Sequence, residues 1–400
     1  MKKIIIVVIC VFLAVILNGQ KPVDYLLKGK ALTKAGKADE AVKILTDALQ
    51  VTQESELYLE RAAAFMEKGD YSQAIKDLNS ANNFSPSSGE YGLARIYALK
   101  GDAGTSLYHL EISMKSPLKR SEKEVLLDPS FSVIENRPEW RQFWKKEWYG
   151  GYEKALSEIE YCLSAGKKDE ARALLNELTS DYPGNDGNIY AQALYSLSTA
   201  NYPDVVKAVS GLLENDPKNE KYLRTLALAQ EGAGNPAGAS SAYTQLIDMG
   251  IPDADLLLLR AGCFRKTGES AKALTDIKKY LDLYPDDNKA LSFAGKVEAA
   301  SGDNLAAIEY FSENLKLHPN DPECYIDRAN SYFVSKSWSW AIKDYSMSLD
   351  LQPGNSDIWL SKGIALLNSG KVDDACHDFR KSYSMGNKRA TEYISRNCIK

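Results

Sequence analysis

The chain has few of the residues that build reaction centres. Its 400 residues include 3 histidines and 6 cysteines. His109, His318 and His377 are scattered, and none has metal-ligand spacing to a second His or Cys. There is no Gly-x-Ser-x-Gly elbow and no Gly-x-x-x-x-Gly-Lys-Ser/Thr loop to cradle a phosphate. Cys376 and His377 are neighbours, but on a helix adjacent residues point to different faces, which argues against a Cys-His nucleophile pair. These absences predict no enzyme activity, no metal and no cofactor. A basic excess is lacking too. The net charge is −5, which argues against nucleic-acid binding and against docking on an anionic membrane. Long apolar runs are absent after the N-terminus. There, Lys2 and Lys3 precede the apolar stretch Ile4 to Leu17, which reads as a secretory signal peptide cut near Gly19 or Gln20. An uncleaved anchor is the alternative, and without it the mature chain has no membrane span.

What the chain does have is a period. Ala171, Ala239, Ala273, Ala307, Ala341 and Ala375 lie on one 34-residue grid, broken only by Val205. Pro183, Pro217, Pro285, Pro319 and Pro353 follow the same grid, as do Gly166, Gly234, Gly268, Gly302 and Gly370. Such a period marks a helical repeat array. Let Ala171 define position 20 of the unit. Position 8 then holds Ile159, Ala193, Ala227, Ala261, Gly295, Ala329 and Gly363. Small residues at 8 and 20 predict two antiparallel helices in close approach there. Larger residues at 4, 11 and 24, such as Leu257, Phe264 and Ile277, fill the space around the contact. The glycine near position 15 ends the first helix in a left-handed conformation. The proline at 32 follows the second helix, which it cannot continue.

This pattern resembles the tetratricopeptide repeat family. The resemblance covers 152–387 as seven units, of which 186–219 is the least regular, with Ser196, Ala200 and Val205 at key positions. Residues 22–54, 55–87 and 88–116 carry the motif less evenly, for ten units in all. The expected fold is an all-α superhelical solenoid of antiparallel helix pairs. Its expected parts are a signal peptide (1–20), an N-terminal array (21–116), an aromatic helical connector (117–151), a C-terminal array (152–387) and a capping helix (388–400). In the connector Trp140, Trp144 and Trp148 recur every four residues, predicting one helix face. That ridge either packs between the arrays or docks a partner. The change of direction of the solenoid is expected here.

Of the remaining cysteines, Cys162 falls on a core position, and Cys263 and Cys324 are two repeats apart, too far to bond. Cys376 and Cys398 flank a turn near Asn387 at equal distance, so a final helix folding back would bring them level as a disulfide.

In the family, first helices line a concave groove with positions 2, 5, 9, 12 and 13 facing in. The family's groove for a C-terminal carboxylate is not matched: Asn330 stands at position 9, but Ile326 at position 5. The resemblance points instead to two stretches. Lys221, Arg224, Arg265, Lys266, Lys289 and Lys296 form a basic stripe. It is either a solvated mixed face, with Glu231 and Asp255 diluting it, or the seat of an acidic peptide. Ile326, Phe333, Leu360, Ile364 and Leu367 form an apolar wall, either cover for the cap or a peptide site. The expected function is a non-enzymatic scaffold binding protein or peptide partners in the periplasm or envelope of a bacterium. The alternatives are a membrane-anchored sensor or assembly factor, and an envelope hydrolase using Glu135, Glu139 and Glu147.

Overall fold

The computed structural model describes residues 21–398, so the signal-peptide segment lies outside the described residues. Among them, 23 α-helices and one 3-10 turn follow in order, and no strand occurs. Ten helix pairs can be drawn. The first three are α1 (Pro22–Lys34) with α2 (Ala38–Val51), α3 (Ser55–Glu67) with α4 (Tyr71–Phe84), and α5 (Glu90–Leu99) with α6 (Ala103–Met114). The short helices α7 (Glu122–Leu126) and α8 (Pro138–Phe143) follow, with a 3-10 turn at Pro129–Phe131. Then come α9 (Gly151–Ser164) with α10 (Lys168–Asp181), α11 (Asp186–Ser198) with α12 (Tyr202–Asn215), and α13 (Glu220–Gly232) with α14 (Pro236–Asp248). Four more pairs complete the set: α15 (Asp255–Lys266) with α16 (Ser270–Leu281), α17 (Asn288–Ser301) with α18 (Asn304–Leu317), α19 (Pro322–Val334) with α20 (Trp338–Leu351), and α21 (Ser356–Asn368) with α22 (Val372–Ser384). The last helix is α23 (Ala390–Asn397). The chain divides into two compact units, Met1–Ala254 and Asp255–Lys400. That division falls inside the run of regular repeats, at the α14–α15 turn, and not in the connector.

The small positions do what their size predicts. Every residue at position 20, from Ala41 through Ala375, is fully buried, Ser106 and Val205 included. Position 8 is equally closed, and its glycines leave no room for a methyl group. A Cβ on Gly295 would lie 2.5 Å from the Phe311 ring, and one on Gly363 2.6 Å from Phe379. Both phenylalanines stand at position 24 and are buried.

The turn after each first helix takes a left-handed residue. Gly166, Gly234, Gly268, Gly302 and Gly370 have φ between 72° and 93°. Where glycine is missing the backbone keeps the same path: Ala200 has φ 60° and Lys336 φ 57°. The hydrogen bonds explain why. Asn201 N–H bonds the Ser196 carbonyl at 2.9 Å and Ser337 N–H the Tyr332 carbonyl at 2.8 Å, as Lys371 N–H bonds Leu366 in a glycine turn. Pair packing forces the conformation on residues that disfavour it.

A second set of contacts is polar. Arg61–Asp77, Arg260–Asp276 and Arg328–Asp344 join positions 7 and 23 of one pair at 2.6–2.7 Å. Lys362–Asp378 does so at 3.2 Å. Arg61 also donates to Thr46 Oγ1 at 3.0 Å and Arg328 to Ser312 Oγ at 3.1 Å, both on the preceding second helix. Arg61 and Arg328 thus tie their own pairs and brace the one before.

The connector packs on the third pair. Val125, Phe131, Ile134, Trp140 and Phe143 share one core with Ala94, Ala98, Leu110 and Met114. The three tryptophans do not share a helix face. Helix α8 ends at Phe143, Trp144 caps it, and Trp148 returns through a turn to stack on Phe143 with ring centres 4.5 Å apart. Trp140 is buried in this core with residues of α5 and α6, and Trp144 and Trp148 pack partly buried against it.

Three substitutions test the packing account. Gly295→Ala gains about 1 kcal/mol of helix propensity but drives a methyl into an immobile ring, where overpacking costs about 1–3 kcal/mol. Net destabilisation is expected in urea titrations, relieved by a second change, Phe311→Leu. Gly211→Ala, in α12 with nothing within 4 Å of the new methyl, should stabilise the chain by up to about 1 kcal/mol. Ala200→Gly, which relieves a left-handed alanine, should raise the unfolding midpoint by the equivalent of about 1 kcal/mol. A neutral or negative effect would mean that the turn is not strained.

Candidate partner-binding surfaces

The basic stripe is distributed over both compact units. Lys221 and Arg224 lie on α13 of the first; Arg265 and Lys266 on α15, and Lys289 and Lys296 on α17, belong to the second. Arg224 is already engaged: its guanidinium meets Glu220 and Asp253, each at 2.8 Å. Lys296 reaches across to Asp327 of α19 at 3.1 Å. Arg265 is exposed and lies over the Phe293 ring at 5.7 Å, while Lys221 and Lys289 are exposed. The stripe is thus partly neutralised by local carboxylates.

The apolar wall divides in two. Leu360 is 2% exposed and belongs to the core with Phe379 and Ala390, so it offers no surface. Ile364 and Leu367 are half-buried against that core together with Tyr393 and Ile394 of α23. They hold the terminal helix. Helix α23 covers the face of α21–α22 that a next pair would take. Cys376 of α22 and Cys398 at the end of α23 form a disulfide, Cα atoms 5.5 Å apart. Ile326 and Phe333 remain half-buried on α19, Phe333 meeting Trp338 edge-on at 5.0 Å. Asn330 is exposed, and its Oδ1 accepts from Tyr345 Oη at 2.6 Å.

The connector carboxylates Glu135, Glu139 and Glu147 are all exposed. His109 pairs with Glu90 at 2.7 Å, His318 contacts the Asp286 carbonyl at 3.1 Å, and His377 lies beside Asp378 at 3.2 Å. Among the described residues no group of three or more His, Cys, Asp or Glu is placed to hold a metal ion. No described helix is long and apolar enough to cross a membrane.

One surface escaped the sequence reading. In the first turn of α20, Trp340 is 55% exposed, stacks on Tyr332 at 6.0 Å and lies under the Lys343 ammonium at 5.4 Å. The signal was present, since 336–340 reads Lys-Ser-Trp-Ser-Trp where most other turns carry glycine and polar residues.

Burial pushes the Asp327 carboxyl above its ordinary value of 3.8, with Lys296 opposing. A carboxyl raised by folding holds its proton more tightly in the native state, so native stability rises as pH falls through that raised value and levels off below 3.8. The stability of the parent relative to Asp327→Asn, read from urea midpoints, should therefore rise as pH falls across this range. Parallel profiles for the two would contradict the assignment.

The comparisons agree with this architecture. Tetratricopeptide repeat models match residues 26–88, 224–288, 264–322 and 160–185. Human DnaJ homolog subfamily C member 3 is 34% identical over 84 residues, which are 21% of this chain and span only 16% of that protein. Among solved structures, the C-terminal part of a TPR repeat-containing protein from Cytophaga hutchinsonii has TM-score 0.52 at 16% identity, covering 59% of this chain and 98% of the other. A tetratricopeptide repeat protein from Parabacteroides merdae has TM-score 0.45 at 19% identity, covering 61% of this chain and 97% of its own. With ten helix pairs and the matched repeats in both units, the chain belongs to the tetratricopeptide repeat family.

Proposed function

We propose that the protein is a non-enzymatic scaffold that holds an acidic peptide segment of a partner along the exposed cations of its first helices. One observation carries this reading: close packing occupies nearly every regular position of the repeat, while Arg265 and Lys289 stay exposed on the first helices. Charge there raises encounter rates and selects partners more than it adds affinity. The basic N-terminal start and its apolar run support export, and the proposed location is the bacterial cell envelope. N-terminal sequencing of the protein from cells separates a processed form from an anchored one.

The test is charge reversal. A fluorescent Asp/Glu-rich peptide should bind the double variant Arg265→Glu, Lys289→Glu about tenfold more weakly than the parent, a loss of ~1.4 kcal/mol. Helicity by circular dichroism should not change. Arg224→Glu should matter less, because Glu220 and Asp253 already occupy that guanidinium. Equal binding by parent and double variant would rule out the acidic-segment reading.

A further inference from the structure

The first helix after the connector has an open face. In three later pairs, position 3 or 6 of the first helix meets the first helix of the pair before it. Asn188 bonds Tyr152 at 3.2 Å, Thr225 bonds Tyr190 at 3.1 Å, and Asp327 meets Lys296 at 3.1 Å. At position 10 the later first helices carry residues that are buried or half-buried, from Tyr195 to Ala365. On α9 the same three positions are Lys154, Ser157 and Tyr161, and all are exposed. They line a cleft of about 740 Å³ whose opposite wall is α7.

That wall is apolar and uncovered. Val125 turns into the connector core, which leaves Leu126 and Leu127 on the cleft side, Leu127 at 70% exposure. Tyr161 faces them at 54%. One end is tied by Lys119, which joins Glu153 of α9 at 2.7 Å and the Trp148 carbonyl at 3.3 Å. Apolar walls of this kind, in the place where other pairs hold a helix, mark an interaction surface.

We propose that this cleft docks a helix of a partner protein: an amphipathic helix with an aliphatic stripe flanked by Lys or Arg. The rim selects the charge. Glu122, Glu158 and Glu160 line it against Lys123 and Lys154, so carboxylates outnumber ammonium groups. Repeat geometry selects the shape, because the incoming helix takes the position of the first helix of a preceding pair. None of these residues belongs to the basic stripe, so the proposal stands apart from the acidic-peptide reading.

The probe is a labelled Leu/Lys amphipathic peptide of about 14 residues, the length of the helices it would join, with a Leu/Glu peptide as its counterpart. The full chain should bind the Leu/Lys peptide at least about tenfold more tightly than the Leu/Glu one. Leu127→Ser with Tyr161→Ala should weaken binding about tenfold or more while circular dichroism stays unchanged, since both side chains are exposed. Leu305→Ser, an exposed leucine on α18, should have no effect. Glu158→Gln should reduce the salt dependence of binding. Equal binding of the two peptides, or indifference to the double change, overturns the proposal. Loss of binding in Arg265→Glu, Lys289→Glu would move the peptide to the stripe and overturn it too. A dimer in sedimentation that disappears with Tyr161→Ala would make the occupant a second copy of this chain, with the same consequence.

Discussion

The distance between paired helices governs this structure. Positions 8 and 20 meet at closest approach and are fully buried in pair after pair. What fills position 24 then depends on what stands at 8. Gly295 and Gly363 admit the rings of Phe311 and Phe379, while Ile159 faces the smaller Leu175. The trade is not strict: Gly29 faces Leu45, whose branched end reaches to 2.9 Å of where a methyl would lie. Shape is conserved through volume, as expected for an interior packed as densely as an organic crystal.

The polar braces act on top of that contact. Arg61, Arg260, Arg328 and Lys362 sit at position 7, each with an aspartate at position 23. Each cation also lies over an aromatic ring, Tyr58, Phe264, Tyr325 and Trp359 in turn. A buried ion pair adds little net stability, because desolvation offsets attraction. Its value lies in geometry, since a forked guanidinium fixes the level of one helix against the other. Where the brace is absent, positions 7 and 23 hold other pairs, such as Leu226 with Ala242, and packing alone sets the level.

Much of this was legible in the sequence, for a physical reason. Close contact, chain reversal and helix ending each demand a residue type, so alanine, glycine and proline recur on the grid. The braces were legible as well, as a sixteen-residue spacing, but charged residues are common on helices and the spacing does not announce itself. The connector was less readable. A four-residue spacing of tryptophans suits one helix, yet α8 stops at Phe143 and a turn brings Trp148 back. Leu360 was misplaced for a related reason: the family resemblance puts position 5 on a groove, but Leu360 lies in a closed core that α23 covers.

Specificity must then reside where packing lets go. A regular unit places most of its first helix against a neighbour, so only the outward positions are free to vary. There, carboxylates claim some of the cations: Arg224 and Lys296 are held by Glu220, Asp253 and Asp327. Others stay exposed, of which Lys289 is the plainest instance. The irregular stretches follow the same logic from the other side. The connector cannot present a full first helix to α9, so two leucines and a tyrosine stay exposed. The α19–α20 turn drops its glycine for Lys336, and Trp340 in the first turn of α20 stays exposed. In this chain the breaks expose apolar side chains because the regular positions are already occupied by one another.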